Sequence, residues 1–127
     1  LHALHKAGIA TYVYLLFGTP ADTKQSALQT LKFIEQHHDS INFLNLAIFN
    51  LPVLSPEASE LDTCDFYEGD LSLYKNFKHP GCWDRQHVRL FLDKTFKRNQ
   101  AVSTILKNTP PFFTSNHAPL FVLNKTV

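Results

Sequence analysis

Two nearly continuous apolar segments dominate the first half of the chain. Gly8–Phe17 reads GIATYVYLLF and Phe43–Phe49 reads FLNLAIF. Both are rich in β-branched and aromatic residues, which predicts strands, and their near-continuous apolarity predicts that each is buried on both faces of a parallel sheet. Gly18, Thr19 and Pro20 are expected to end the first strand.

The segment between these strands has the pattern of an amphipathic helix. Asp22 and Gln25 have the spacing of a capping box, so the helix is expected to begin at Asp22 and to end near residues 37–40. One apolar stripe at helical spacing is formed by Ala27, Leu28, Leu31 and Ile34. Strand, helix and strand in this order predict a βαβ unit with a right-handed crossover.

Shorter elements are expected after Pro52. A short helical turn is predicted near Leu61, and Cys64–Tyr67 and Leu71–Tyr74 predict a β-hairpin whose turn is residues 68–70. Asp84 is expected to cap a helix. The inward positions predicted for that helix are Val88, Phe91, Leu92, Thr95 and Phe96.

The end of the chain has two further predicted elements. A helix that uses Val102, Ile105 and Leu106 is expected to run to about Lys107. The apolar segment 119–123 is expected to add a strand or to pack on the core.

Composition excludes several classes of function. The 127 residues carry 12 Lys+Arg and 11 Asp+Glu, a net charge of +1, which argues against a dedicated nucleic-acid binder. No apolar run approaches the ~18 residues of a membrane-spanning helix, so no membrane attachment is expected. The two cysteines, Cys64 and Cys82, are too few for a disulfide scaffold and have the wrong spacing for a zinc site. With no signal peptide pattern, these features favour a cytoplasmic protein.

Two parallel strands and one helix do not make a complete fold, because they leave open strand edges and an apolar face. The chain also contains no methionine and begins at Leu1. We therefore expect it to be a piece of a larger soluble α/β protein. Its main partner would be the rest of the parent chain, and the isolated piece is expected to self-associate.

The segment after the first strand is the most informative for chemistry. Ligands of parallel α/β sheets bind at the carboxyl ends of strands, where Gly18 would let a ligand approach the backbone and Pro20 would stiffen the turn. A purely structural interpretation explains the same residues and is favoured when they are taken alone. In it, Gly18 and Pro20 shape the turn and Asp22 caps the helix.

Three short motifs in the first half resemble one known family. AGI at residues 7–9 precedes the first strand, GTPAD follows it at 18–22, and TLKF lies in the helix at 30–33. A proline-containing loop follows the second strand. This arrangement resembles the fifth-strand region of radical SAM enzymes, in the branch related to cobalamin-binding members, although Asp22 stands where glutamate is usual.

The resemblance implies a fold, a chemistry and a set of ligand contacts. Residues 1–61 would be the last βαβ part of a partial, TIM-type (β/α) barrel, and 62–127 a mixed α/β extension with the hairpin and helices. The parent would hold a [4Fe–4S] cluster and S-adenosylmethionine (SAM), whose reductive cleavage gives a 5′-deoxyadenosyl radical. Residues carried over by position as SAM contacts are Leu16 against the adenine, Gly18 beside the nucleoside, Pro20 in the turn, and Asn45 and Asn50 as polar contacts.

The cluster ligands of that family are absent from this sequence. Three cysteines in a Cys-x3-Cys-x2-Cys run hold the cluster, and Cys64 and Cys82 cannot form such a run. They are expected upstream, so this piece is expected to be inactive, to bind no cofactor alone and to contain neither catalytic residues nor metal ligands. Whether the parent binds cobalamin is left open.

Two other interpretations remain. The first is a non-catalytic protein–protein interaction module, which would use its strand edges and phenylalanines. The second is a different (β/α) barrel enzyme that shares the strand–GxP–helix pattern by convergence.

Four polar groups have both a structural and a chemical interpretation. His37 and His38 suit the negative end of a helix dipole more than a metal site. Residues 82–85 (CWDR) place several chemically reactive side chains next to each other. A cysteine beside an aromatic side chain, however, usually has a packing role. Asp84 with His87 is a capping pair or an acid–base pair, and His117 is a loop anchor or a substrate contact.

Overall fold

The computed structural model describes residues 1–69 and 71–109. The helices are α1 (His2–Lys6), α2 (Lys24–His37), α3 (Pro56–Glu60), α4 (Arg85–Phe91) and α5 (Gln100–Lys107). A 3-10 turn covers His38–Ser40, and a π-helical segment covers Leu92–Phe96. The strands are β1 (Tyr12–Phe17), β2 (Phe43–Ile48), β3 (Leu51–Pro52), β4 (Thr63–Cys64) and β5 (Tyr74–Phe77).

Strands β1 and β2 form a parallel two-stranded sheet, as predicted. Their register runs from Tyr12 opposite Phe43 to Phe17 opposite Ile48, and α2 lies between them in sequence. The first strand begins at Tyr12 and not at Gly8, because Gly8 turns the chain at a φ of +72° after α1 (residues 2–6).

Burial of β1 on both faces, expected from its apolar sequence, is wrong. Phe17 is buried against the core, to which Val13 and Leu15 also pack, but Tyr14 is 59% exposed and Leu16 is 55% exposed. The core on the covered side is built from the sheet, α2, α4, the π-helical segment and α5. Its most buried members are Phe17, Ile34, Val88, Phe96 and Val102.

Helix α2 begins two residues later than predicted. Its N-cap is Thr23, whose hydroxyl accepts a hydrogen bond from the Ser26 amide, while the Ser26 hydroxyl accepts one from the Thr23 amide. Asp22 and Gln25 therefore do not form the capping box. Ala27, Leu31 and Ile34 are buried as expected, whereas Leu28 is exposed.

The predicted hairpin has a different register. Strand β5 lies between β3 and β4 in an antiparallel sheet, with Thr63 opposite Phe77 and Leu51 opposite Lys75. Leu71 and Leu73, predicted to be strand residues, are 86% and 75% exposed and precede β5. The apolar pattern overstated the strand here because these leucines do not reach the core.

The helices after residue 84 agree with the prediction except at one position. Asp84 is the N-cap of α4, and α5 ends at Lys107 as expected. The inward positions are buried except for Thr95, which is exposed. The π-helical segment Leu92–Phe96 explains this, because its wider turn shifts the face that each later residue occupies. The predicted tail element 119–123 lies outside the described residues.

The architecture is mixed α/β, with one parallel and one antiparallel sheet. Within residues 1–69 and 71–109 the strands do not close into a barrel. No helix in this part of the chain combines the length and apolarity needed to cross a membrane.

Candidate functional site

The carboxyl ends of β1 and β2 meet at one edge of the parallel sheet. Gly18 follows β1, and the Phe49 amide after β2 donates a hydrogen bond to the Phe17 carbonyl at 2.8 Å. A cleft opens at this edge, between the parallel strands, β5 and the start of α4. The residues that matter for its chemistry are Gly18, Asn50, Phe66, Lys75, Trp83 and Arg85.

Gly18 is required by the backbone and by packing. Its φ is +77°, a left-handed conformation that favours glycine. A Cβ atom there would lie 3.2 Å from Cγ2 of Val88 on α4. The Gly18 amide donates to the Asp22 carboxylate at 2.8 Å, and the Ser26 hydroxyl also donates to that carboxylate. Asp22 thus fixes the turn after β1.

His79 fastens the antiparallel sheet to this turn. It is 4% exposed, and its Nδ1 accepts hydrogen bonds from the amides of Gly81 (3.0 Å) and Trp83 (3.2 Å). Because Nδ1 faces two N–H groups, it carries no proton, and Nε2–H donates to the Thr19 carbonyl at 2.8 Å. The loop 79–83 is therefore held against the carboxyl end of β1.

Arg85 joins the other strand end to α4. Its Nη1 lies 2.6 Å from Oδ1 of Asn50 and 3.4 Å from the Phe49 carbonyl oxygen, and it donates to both. Partial burial, followed by the charge of Arg89, lowers the pKa of the Arg85 guanidinium. Both effects disfavour its positive charge, so Arg85 lies where a neighbouring anion would be stabilising.

Asp84 acts as a helix cap. Its Oδ1 accepts hydrogen bonds from the amides of Gln86 (2.9 Å) and His87 (3.0 Å), and the His87 ring lies 3.0 Å away. The hydrogen bond from the His87 amide is the main reason that the pKa of Asp84 is lowered. This geometry supports the capping interpretation of the Asp84–His87 pair.

The residues predicted as SAM contacts lie in three different places. Leu16 and Asn45 lie on the exposed face of the parallel sheet, since Asn45 is opposite Tyr14 and alternate residues share a face. Gly18 and Asn50 line the cleft at the carboxyl edge. Pro20 lies in the turn before α2 and does not line that cleft.

The other candidates have ordinary environments. The His38 ring is hydrogen bonded to the Glu35 carbonyl at 2.9 Å near the end of α2, and the His37 ring packs on Phe33. Cys64 and Cys82 are free and exposed. No cluster of three or more metal-ligating side chains occurs in the described ranges. His117 lies outside them.

Sequence reasoning did not identify His79, Trp83, Arg85 and Arg89 as one site. His79 and Thr19 are 60 residues apart, and Arg85 and Asn50 are 35 apart, so no local pattern links them. Trp83 is buried, and its Nε1–H has no partner among the described residues. The CWDR sequence at residues 82–85 was the one local pattern that pointed to this site.

Comparisons of this chain with protein-family models, curated proteins and solved structures found no match. The functional proposal therefore depends on the geometry of the sheet and its cleft, together with the sequence resemblance.

Proposed function

We propose that this chain is the C-terminal part of a radical SAM-type iron–sulfur oxidoreductase. In this proposal β1 and β2 are the last strands of a partial (β/α) barrel, and their exposed face forms part of the wall of the SAM pocket. The cluster is bound by another part of the parent protein. The chain contributes ligand contacts and no catalytic group.

The observation that carries the proposal is the one-sided burial of a parallel βαβ unit. Its helix packs on one face, while on the other Phe43 is buried but Tyr14 and Leu16, nearer the carboxyl end of β1, are more than half exposed. In a (β/α) barrel the helices cover the outer face of the strands, side chains of the other strands cover the inner face, and ligands bind at the carboxyl ends. Leu16 and Asn45 lie on the face that would be the inner one.

The residues present fit the nucleoside better than they fit the cluster. Leu16 offers an exposed apolar surface. Asn45 offers a side-chain amide on β2, two residues before Ala47, which is paired with Leu16. Gly18 is a weaker candidate, because the space beside it is occupied by Val88. The chain has only two cysteines, so it cannot supply the three thiolates of the cluster.

The first experiment uses the full-length natural protein, purified without oxygen. We expect about four irons and four sulfides per [4Fe–4S] cluster, and release of 5′-deoxyadenosine when SAM and dithionite are added. Protein that holds no iron after reconstitution, or that leaves SAM intact, would remove this proposal.

Substitution of Leu16 tests the contribution of this chain to the pocket. Leu16→Gln is expected to weaken SAM binding roughly tenfold, since an apolar contact in a pocket is worth about 1–3 kcal/mol. Leu54→Gln is the matched control, because Leu54 is 95% exposed and lies away from the parallel sheet. Equal SAM affinity of the two variants, measured by calorimetry, would place Leu16 outside the pocket.

The same exposed face also favours a second function, a non-catalytic interaction module. Tyr14 and Leu16 would then contact a partner protein. This alternative predicts a specific complex that Leu16→Gln disrupts, in a protein that contains no iron. Iron content therefore separates the two functions.

A further inference from the structure

The cleft at the carboxyl edge continues along α4 as a single cationic surface. Phe66 and Arg85 line its whole length, and the cations along it are Lys75, Lys78, Arg85 and Arg89. The other charged or titratable groups that line it are Tyr67, Tyr74, His79, Cys82, Asp84 and His87. We call this surface the cationic cleft.

Among the described residues that line the cationic cleft, cations outnumber carboxylates. Asp84 is the one carboxylate along it in residues 1–69 and 71–109, and that group is already bonded to two amides and to His87. Ion pairs in this part of the chain join His38 to Asp39, His87 to Asp84 and Lys97 to Asp93, so none involves a cleft cation.

The two arginines are arranged unfavourably in the absence of an anion. They are four residues apart around the start of α4, a spacing that brings like charges together on one helix face. Asn50 fixes the Arg85 guanidinium at 2.6 Å, so one arginine is held in place before any ligand arrives. Guanidinium groups suit carboxylate and phosphate oxygens, which they bind through paired N–H donors.

The rest of the cleft adds an apolar wall. Phe66 is 47% exposed, and Tyr67 and Tyr74 line the end of the cleft nearest Arg89. Trp83 lines the other end, where it is 6% exposed.

We propose that the cationic cleft binds the anionic group, carboxylate or phosphate, of a small molecule with an aromatic or apolar body. Arg85 and Arg89 hold the anion, and Phe66 packs against the body. All the residues involved belong to this chain. Anion binding by the cleft therefore does not depend on whether the parent holds an iron–sulfur cluster.

The full chain provides its own reporter, because Trp83 is its one tryptophan and lines the cleft. Phenyl phosphate, benzoate and neutral benzyl alcohol are titrated while tryptophan emission is followed. We expect a saturable change with one or both anions, weakened by added salt, and none with the alcohol. Tighter binding of phenyl phosphate identifies a phosphate ligand, and tighter binding of benzoate identifies a carboxylate.

Two arginine variants and a control decide whether the cleft is responsible. Arg89→Gln and Arg85→Gln are each expected to weaken anion binding about tenfold, as expected for loss of a charge-assisted hydrogen bond. Arg89 has no hydrogen bond within the described chain, so its variant keeps the fold even if Arg85→Gln does not. Arg98→Gln removes an exposed arginine outside the cleft and should bind as the unchanged chain does. Equal affinity of Arg89→Gln and Arg98→Gln, or no response to either anion, would overturn the proposal.

Discussion

The two faces of the parallel sheet are built from alternate residues of the same strands, but they differ sharply in burial. On one face Phe17 is 1% exposed and Leu44 is 4% exposed, whereas on the other Phe43 is buried but Tyr14 and Leu16 are more than half exposed. Both faces are apolar in sequence. Apolarity therefore indicates that a face needs a partner, while the positions of the helices decide which face this chain covers itself.

The largest expected effect on the free energy of unfolding is at Phe17, whose neighbour Leu16 lies on the opposite face of β1. Phe17→Ala should lower the free energy of unfolding by about 3–5 kcal/mol, because it empties a site packed against Phe91 and Phe96. Leu16→Ala should cost less than about 1 kcal/mol, since that side chain is 55% exposed. Urea denaturation of both variants checks this, and equal losses would mean that both faces are covered.

A pair of glycines distinguishes backbone strain from packing. Gly8 and Gly18 have similar positive φ values, +72° and +77°, but a Cβ would meet nothing within 4 Å at Gly8 and Val88 at 3.2 Å at Gly18. Gly8→Ala should therefore lower the free energy of unfolding by about 1–2 kcal/mol, because of backbone conformation alone. Gly18→Ala should cost roughly 3 kcal/mol, because crowding is added.

Thermal unfolding of the two alanine variants measures this difference. A smaller loss for Gly18→Ala than for Gly8→Ala would show that α4 is not packed against the strand end.

A smaller loss of stability than at Phe17 or Gly18 is expected at the Asp84 cap. Asp84→Ala should cost about 1 kcal/mol at neutral pH. Because the amide of His87 lowers the pKa of Asp84 in the folded chain, the carboxylate stabilises the fold above its unfolded pKa, near 3.8. This contribution is lost as the pH falls through the lower, folded value.

Asp84→Asn is the matched variant for the acid dependence, since asparagine also caps helices but does not titrate. Its stability, followed by circular dichroism from pH 7 to pH 2, should lack the part of the acid-induced loss that belongs to Asp84. An unchanged acid profile would contradict the role given to this carboxylate.

Features that leave a local pattern in the sequence were predictable. The parallel strands β1 and β2, the cap at Asp84 and the end of α5 follow from apolar runs and capping chemistry. The position of β5 was not predictable in this way, because its pairing with Leu51 and Thr63 depends on long-range contacts. Thr95 was misplaced because a π-helical turn leaves no clear sequence pattern.

The candidate site was predicted only where it follows the strand ends. Gly18 and Asn50 were identified because ligands favour the carboxyl edge of parallel strands. The His79, Arg85 and Arg89 side chains come from the second half of the chain, and only the folded structure brings them to that edge.

The hydrogen bond from His79 to Thr19 has a consequence for synthesis on the ribosome. It spans 60 residues, so at about 5–20 residues per second the turn after β1 waits roughly 3–12 s for its partner to be translated. Phe17 waits longer still for Phe91 and Phe96. During that interval the nascent strand presents an apolar surface, which makes it a natural client for chaperones that bind emerging chains.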